Sequence, residues 1–131
     1  TGAVDCSGFV VTLLTGAGLK FGKGNLSLGA EYMAGSFLDS KRGDEICNYS
    51  KNNEIPPLKP GDLIFSADAD DLETNEHVTM ATGNGLQVVE ASGMKNVMKV
   101  TYQFDAYKTY KNGKYYRDSQ QVVTQVIRPF Y

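Results

Sequence analysis

The sequence predicts an α+β domain, with helices packed on one side of an antiparallel sheet. Two helix-like stretches come first and a meander of strands and hairpins follows. A length of 131 residues suits one hydrophobic core rather than two. The whole chain, 1–131, is therefore expected to be a single domain.

The elements follow in order. Ser7 to Leu14 is apolar nearly all round, as a short buried helix is, and Gly16 and Gly18 supply its stop. The β-branched Val10, Val11 and Thr12 would also suit a buried strand; Asp5, a preferred N-cap, decides for the helix. From Leu26 to Leu38 the apolar positions Leu26, Ala30, Met33, Ala34, Phe37 and Leu38 recur at three and four, the spacing of a second amphipathic helix. Asp39 to Lys59 is polar, ends in Pro56-Pro57 and reads as a long surface loop. Pro60-Gly61 is a turn, and Asp62 to Phe65 is a short strand whose first residue, Asp62, stabilises that turn. Asp68 to Glu76 holds five carboxylates and no basic residue, so it is an exposed loop. His77 to Thr82 and Leu86 to Ala91 are strands around the hairpin signal Gly83-Asn84-Gly85. A second hairpin is expected at Asn112-Gly113, and Val122 to Ile127 forms the last strand.

Composition narrows function. With 41% hydrophobic and 21% charged residues the chain is neither a disordered tail nor a coiled coil. Its 13 basic and 15 acidic side chains give a net charge of -2, so no global field draws it to nucleic acid or to an anionic membrane. The longest apolar run, Phe9 to Leu14, falls far short of the roughly 20 residues that span a bilayer. Two cysteines, Cys6 and Cys47, are too few for a disulfide-stapled module, and Cys47 stands incidentally in a polar loop. A start at Thr1-Gly2-Ala3 without Met reads as a piece of a longer protein.

The chemistry gathers around Cys6 and the one histidine, His77. A cysteine at the start of a helix has its thiolate stabilised by first-turn N–H groups and the helix dipole. His77 opens a strand whose opposite face carries Val78 and Met80, so its ring shares the face of Thr79 and Ala81. Hairpin register then places a carboxylate. With Gly83-Asn84 as a two-residue loop, Glu90 lies opposite His77 and can fix the imidazole tautomer. With Asn84-Gly85 as the loop, Glu90 faces Thr79 and is diagonal to His77; a three-residue loop would reverse the parity and remove the triad.

Three blocks, Val4-Asp5-Cys6-Ser7-Gly8-Phe9-Val10, Leu58-Lys59-Pro60-Gly61-Asp62-Leu63-Ile64-Phe65, and His77-Val78 with Gly83-Asn84-Gly85 and Val89-Glu90-Ala91-Ser92, resemble the NlpC/P60 family of papain-like cysteine peptidases. The blocks stand in the family's order across about the first ninety residues. The resemblance implies a papain-like fold and a cell-wall hydrolase cleaving peptidoglycan stem peptides, commonly between γ-D-glutamate and the diamino acid. It places the nucleophile on Cys6, the base on His77 and the orienting polar residue on Glu90. Asp5 and Ser7 fall where such enzymes meet the substrate amine. It implies no metal and no cofactor, and a place outside the cytoplasm, secreted, in the cell envelope, or on a phage particle. Glu90 departs from the family's more frequent His, Asn or Gln. The family usually carries an aromatic residue well upstream of the cysteine, a position that would fall before Thr1. A wall-binding module of the same fold and a thiol-dependent acyltransferase are the alternatives, and a monomer is the default state.

Two charged segments remain. Asp68-Ala69-Asp70-Asp71-Leu72 lacks the oxygen ligand, glycine and closing glutamate of a calcium loop, so it reads as a solvated loop bordering the cleft. Lys95, Lys99, Lys108, Lys111, Lys114 and Arg117 against Asp105 alone give residues 95–117 a local charge of +5, interleaved with tyrosines. Such a surface is used for single-stranded nucleic acid, but tyrosines in a meander usually pack a strand face, and a wall polymer suits the same basic surface. No nucleic-acid partner is expected.

Overall fold

The computed structural model describes residues 29–51, 54–94 and 97–130, without the side chains of 90–104. The predicted first helix lies outside the described residues, together with Asp5, Cys6 and Ser7. The second is present as α1, Ala30–Asp39, with Gly29 as its N-cap. Its buried residues Ala30, Met33, Ala34 and Phe37 are the predicted stripe. The helix closes by a Schellman arrangement: Lys41 N–H donates to Leu38 O and Arg42 N–H to Phe37 O, with Lys41 left-handed at φ 58°. That reversal feeds the chain straight into the first strand.

The strands are β1 Gly43–Asn48, β2 Leu63–Asp68, β3 His77–Ala81, β4 Gln87–Met94, β5 Val97–Asp105, β6 Thr109–Lys111, β7 Lys114–Tyr116 and β8 Gln121–Pro129. They form one curled antiparallel sheet in the order β5-β4-β3-β2-β8-β7-β6, and β1 also pairs with β8. Sheet dominates: α1 is the one helix among the described residues. Among those residues no helix is long and apolar enough to cross a membrane.

One reading is corrected here. Asp39 to Lys59 is not wholly a surface loop, because β1 lies inside it and pairs with β8 from Gly43↔Pro129 to Asn48↔Gln125. Asp44, Glu45 and Asn48 made the segment look polar, yet Gly43 and Cys47 point inward and Leu58 is buried. The Asn112-Gly113 hairpin is present, with both residues left-handed at φ 51° and 75° as a type I′ turn requires.

The sheet separates two apolar clusters. On one face α1 covers Leu63, Phe65, Val78 and Ile127. On the other, Cys47, Leu58, Ile64, Ala81, Val88, Tyr115, Val123 and Val126 pack together. The alternation along β2 and β3 thus sends Leu63, Phe65, Val78 and Met80 to the helix side, and Ile64 and Ala81 to the other.

Two anchors hold the strands near the site. Asp62, 1% exposed, accepts from the Lys59 N–H through Oδ2 and forms a bidentate pair with Arg128 at 2.8 and 2.9 Å. The expectation that Asp62 stabilises its turn therefore holds. At the hairpin, Gly83 has φ +92°, and a Cβ there would lie 2.5 Å from Pro60 Cγ. Only glycine allows the β3–β4 turn to rest on the Pro60-Gly61 turn.

Candidate active site

His77 is the first residue of β3 and lies opposite Ser66 of β2; Thr79 lies opposite Ile64. Directly opposed residues of an antiparallel pair share a face, so His77, Ser66, Thr79 and Ile64 stand together on the side away from α1. This is the face predicted from alternation. The ring is half-buried.

Its electrostatic surroundings are specific. Burial pushes the imidazole pKa down to about 4, Arg117 acts in the same direction, and Asp118 opposes both. The described residues therefore hold His77 neutral at pH 7, with one ring nitrogen able to take a proton. Asp118 is fixed by its own loop: Oδ1 accepts from the backbone N–H of Gln120 at 2.7 Å and of Gln121 at 2.8 Å. Those bonds hold its carboxyl below the usual range. Arg117 and Asp118 were missed from sequence. The recognisable signal was an Asx turn, Asp118-Ser119-Gln120, immediately before the last strand.

The β3–β4 register fixes the hairpin loop. Met80 pairs with Val89 and Ala81 with Val88, and Thr82 N–H donates to Gln87 O, so the loop is the four residues Gly83 to Leu86. Continued by one residue, this register sets Glu90 beside Thr79 rather than His77. The first of the two even-parity readings is thereby corrected and the diagonal one retained. The physical cause is a further tight turn inside the loop, closed by Gln87 N–H on Asn84 O at 3.0 Å with Gly85 at φ +59°. On its other side Glu90 pairs with Thr101, next to a bulge following Val88.

A polar chain stiffens the approach to His77. Thr124 is the extra residue of a β-bulge, since Phe65 pairs with Gln125 and Ser66 with Val123. Its hydroxyl meets Asn75 Oδ1 and Phe65 O, Asn75 Nδ2 donates to Gln125 Oε1, and Gln125 Nε2 donates to Glu45 Oε2. Asn75, two residues before His77, is buried even though the rest of the acidic loop is largely exposed.

Cys47 is excluded as a nucleophile. It is buried, and burial, reinforced by Glu45, pushes its thiol up to about 11. The only other thiol in the sequence is Cys6.

Residues 1–119 match the family model described as NlpC/P60 family, a span that includes Cys6, His77, Glu90, Arg117 and Asp118. The chain belongs to the NlpC/P60 family. No curated protein and no solved structure matches it. NlpC/P60 proteins are peptidoglycan-related hydrolases and cysteine peptidases. Within this NlpC/P60 domain the described residues supply a neutral histidine at the start of an interior strand, with Arg117 and Asp118 acting on it in opposite directions.

Proposed function

We propose that the chain is a cysteine endopeptidase that hydrolyses amide bonds in peptidoglycan stem peptides, with Cys6 as nucleophile and His77 as general base. The observation that carries the reading is family membership over a span holding both residues, joined to a half-buried histidine held neutral at the start of β3. The Cys6 sulfur attacks the scissile carbonyl carbon as its proton passes to His77. The backbone N–H of Cys6 stabilises the oxyanion, and the imidazolium protonates the leaving amine as the C–N bond breaks. His77 then takes a proton from water, whose oxygen attacks the thioester, releasing the carboxylate and restoring the thiol.

In this reading Glu90 favours the imidazolium from a diagonal position, a weaker role than a directly opposed carboxylate would have. Asp5 and Ser7 meet the substrate amine, the γ-D-glutamyl–diamino acid bond is the one cut, and the first helix packs on the sheet as in papain-like enzymes. The domain works as a monomer without metal or cofactor, outside the cytoplasm in the cell envelope, the medium or a phage particle. The test is amino-group release from purified cell wall. Cys6→Ala and His77→Ala should each abolish it without loss of fold, and Glu90→Ala should lower it without abolishing it.

A further inference from the structure

Strand β2 runs through the middle of the sheet and is buried along nearly its whole length, and Ser66 is the polar interruption in its sequence Leu63-Ile64-Phe65-Ser66-Ala67. Ser66 lies opposite His77 on β3 and opposite Val123 on β8. Opposed residues share a face, so its hydroxyl has the imidazole on one side and an apolar wall on the other, with Ile64 two residues back. The side chain is buried, and its oxygen has no hydrogen-bond partner among the described residues.

Buried hydroxyls are ordinarily satisfied, so an orphan in this place calls for a reason. Alanine would serve the resting fold at least as well. The reason lies in the neighbour. Taking a proton turns the ring into a cation, and a hydrogen bond from a charged N–H is roughly twice as strong as one from a neutral group. An oxygen opposite the ring therefore favours the charged form over the neutral one. Directly opposed Cβ atoms lie about 4.5–5.5 Å apart, which brings a serine oxygen and the near ring nitrogen within reach once the serine rotamer turns towards the ring.

The charged groups around His77 are otherwise engaged or set apart. Arg117 disfavours the cation, and Asp118 has Oδ1 taken by two backbone N–H groups. Glu76 accepts from Gln121 Nε2 at 3.3 Å, and Asp68, further along the same face of β2, accepts from the Asp70 N–H at 2.8 Å. Glu90 is diagonal to His77 by continued register.

We propose that Ser66 is a positioning residue for His77: its hydroxyl oxygen accepts an imidazolium N–H when the ring takes up a proton, leaving the other ring nitrogen to exchange that proton with the thiol. The catalytic consequence rests on the proposed function, whereas the contact itself needs only the Ser66–His77 pairing.

The test is an NMR pH titration of the His77 ring in the full chain, with folding checked by circular dichroism. Ser66→Ala should lower the ring pKa by about one unit from its value of about 4, and Ser66→Thr, which keeps the hydroxyl, should restore it. Gln121→Ala is the comparison, since Gln121 Oε1 is also buried without a partner among the described residues. In the active protein, Ser66→Ala should lower kcat on cell wall about tenfold at pH 7 with KM unchanged. An unchanged or raised pKa in folded Ser66→Ala, a drop in Gln121→Ala alone, or a lowered pKa with kcat intact would overturn the proposal. A lowered pKa in a protein that hydrolyses no wall would support the contact while sinking the peptidase reading. Hydrolysis with a ring pKa indifferent to Ser66 would do the reverse.

Discussion

Ser66 and His77 face each other across β2 and β3, and the Ser66 hydroxyl, 1% exposed, has no hydrogen-bond partner among the described residues. An unsatisfied buried hydroxyl costs stability, typically about 1–3 kcal/mol relative to a satisfied one. Ser66→Ala is therefore expected to leave stability unchanged or raise it by up to about 1 kcal/mol, measured by urea denaturation. A loss above about 1 kcal/mol would mean that the hydroxyl has a partner in solution.

The imidazole pKa should respond to its two charged neighbours in opposite directions. His77 is the only histidine, so its ring proton resonances can be followed by NMR without assignment ambiguity. Arg117→Gln should raise the pKa from about 4 and Asp118→Asn should lower it. Shifts of the opposite sign would show that these charges do not act on the ring as described.

Stability should depend on pH through the same group. The folded pKa of about 4 lies below the ordinary value of 6.5, so between those values the unfolded chain binds a proton that the folded chain refuses. The contribution is complete above pH 6.5 and is lost as pH falls towards 4, at up to about 1.4 kcal/mol per pH unit. Carboxylates titrate nearby, so the relevant quantity is the difference between wild type and His77→Gln. Wild type should lose about 2–3 kcal/mol more than the variant between pH 7 and pH 4. Parallel curves would place the imidazole in water.

Breaking the Asp62–Arg128 pair should be costly. Asp62 is fully buried and Arg128 is 28% exposed, so Arg128→Met strands a buried carboxylate. A loss of about 3 kcal/mol is expected in denaturant unfolding at pH 7, with a smaller loss for the double variant Asp62→Leu/Arg128→Met. Equal losses in the two would remove the stranded charge as the cause.

Gly83→Ala should destabilise by about 2 kcal/mol or more, since it combines a left-handed backbone with a contact against the Pro60 ring. Pairing it with Pro60→Ala, which removes the ring atoms beneath Gly83, should recover part of the loss. No recovery would assign the whole cost to the backbone angle.

Periodicity revealed α1 because its buried stripe is strictly three-and-four spaced, and glycine-bearing turns revealed both hairpins. β1 stayed hidden because it buries only Gly43 and Cys47 among charged neighbours, too few apolar positions to print an alternation. The face of His77 was legible from Val78 and Met80, since a strand alternates whatever its partners are. The partner of Glu90 was not fixed by sequence, because two-residue and four-residue loops keep the same parity and differ only in how Gly85 and Leu86 are used. Arg117 and Asp118 reach His77 from a loop forty residues away, and no local pattern reports such a meeting.

The proposed cutting of wall peptides by a Cys6 thiol that His77 serves is tested most directly by the release of new amino groups from purified peptidoglycan. Wild-type protein should release them, and Cys6→Ala and His77→Ala, each folded by circular dichroism, should release none. Release by Cys6→Ala at the wild-type rate would contradict the account.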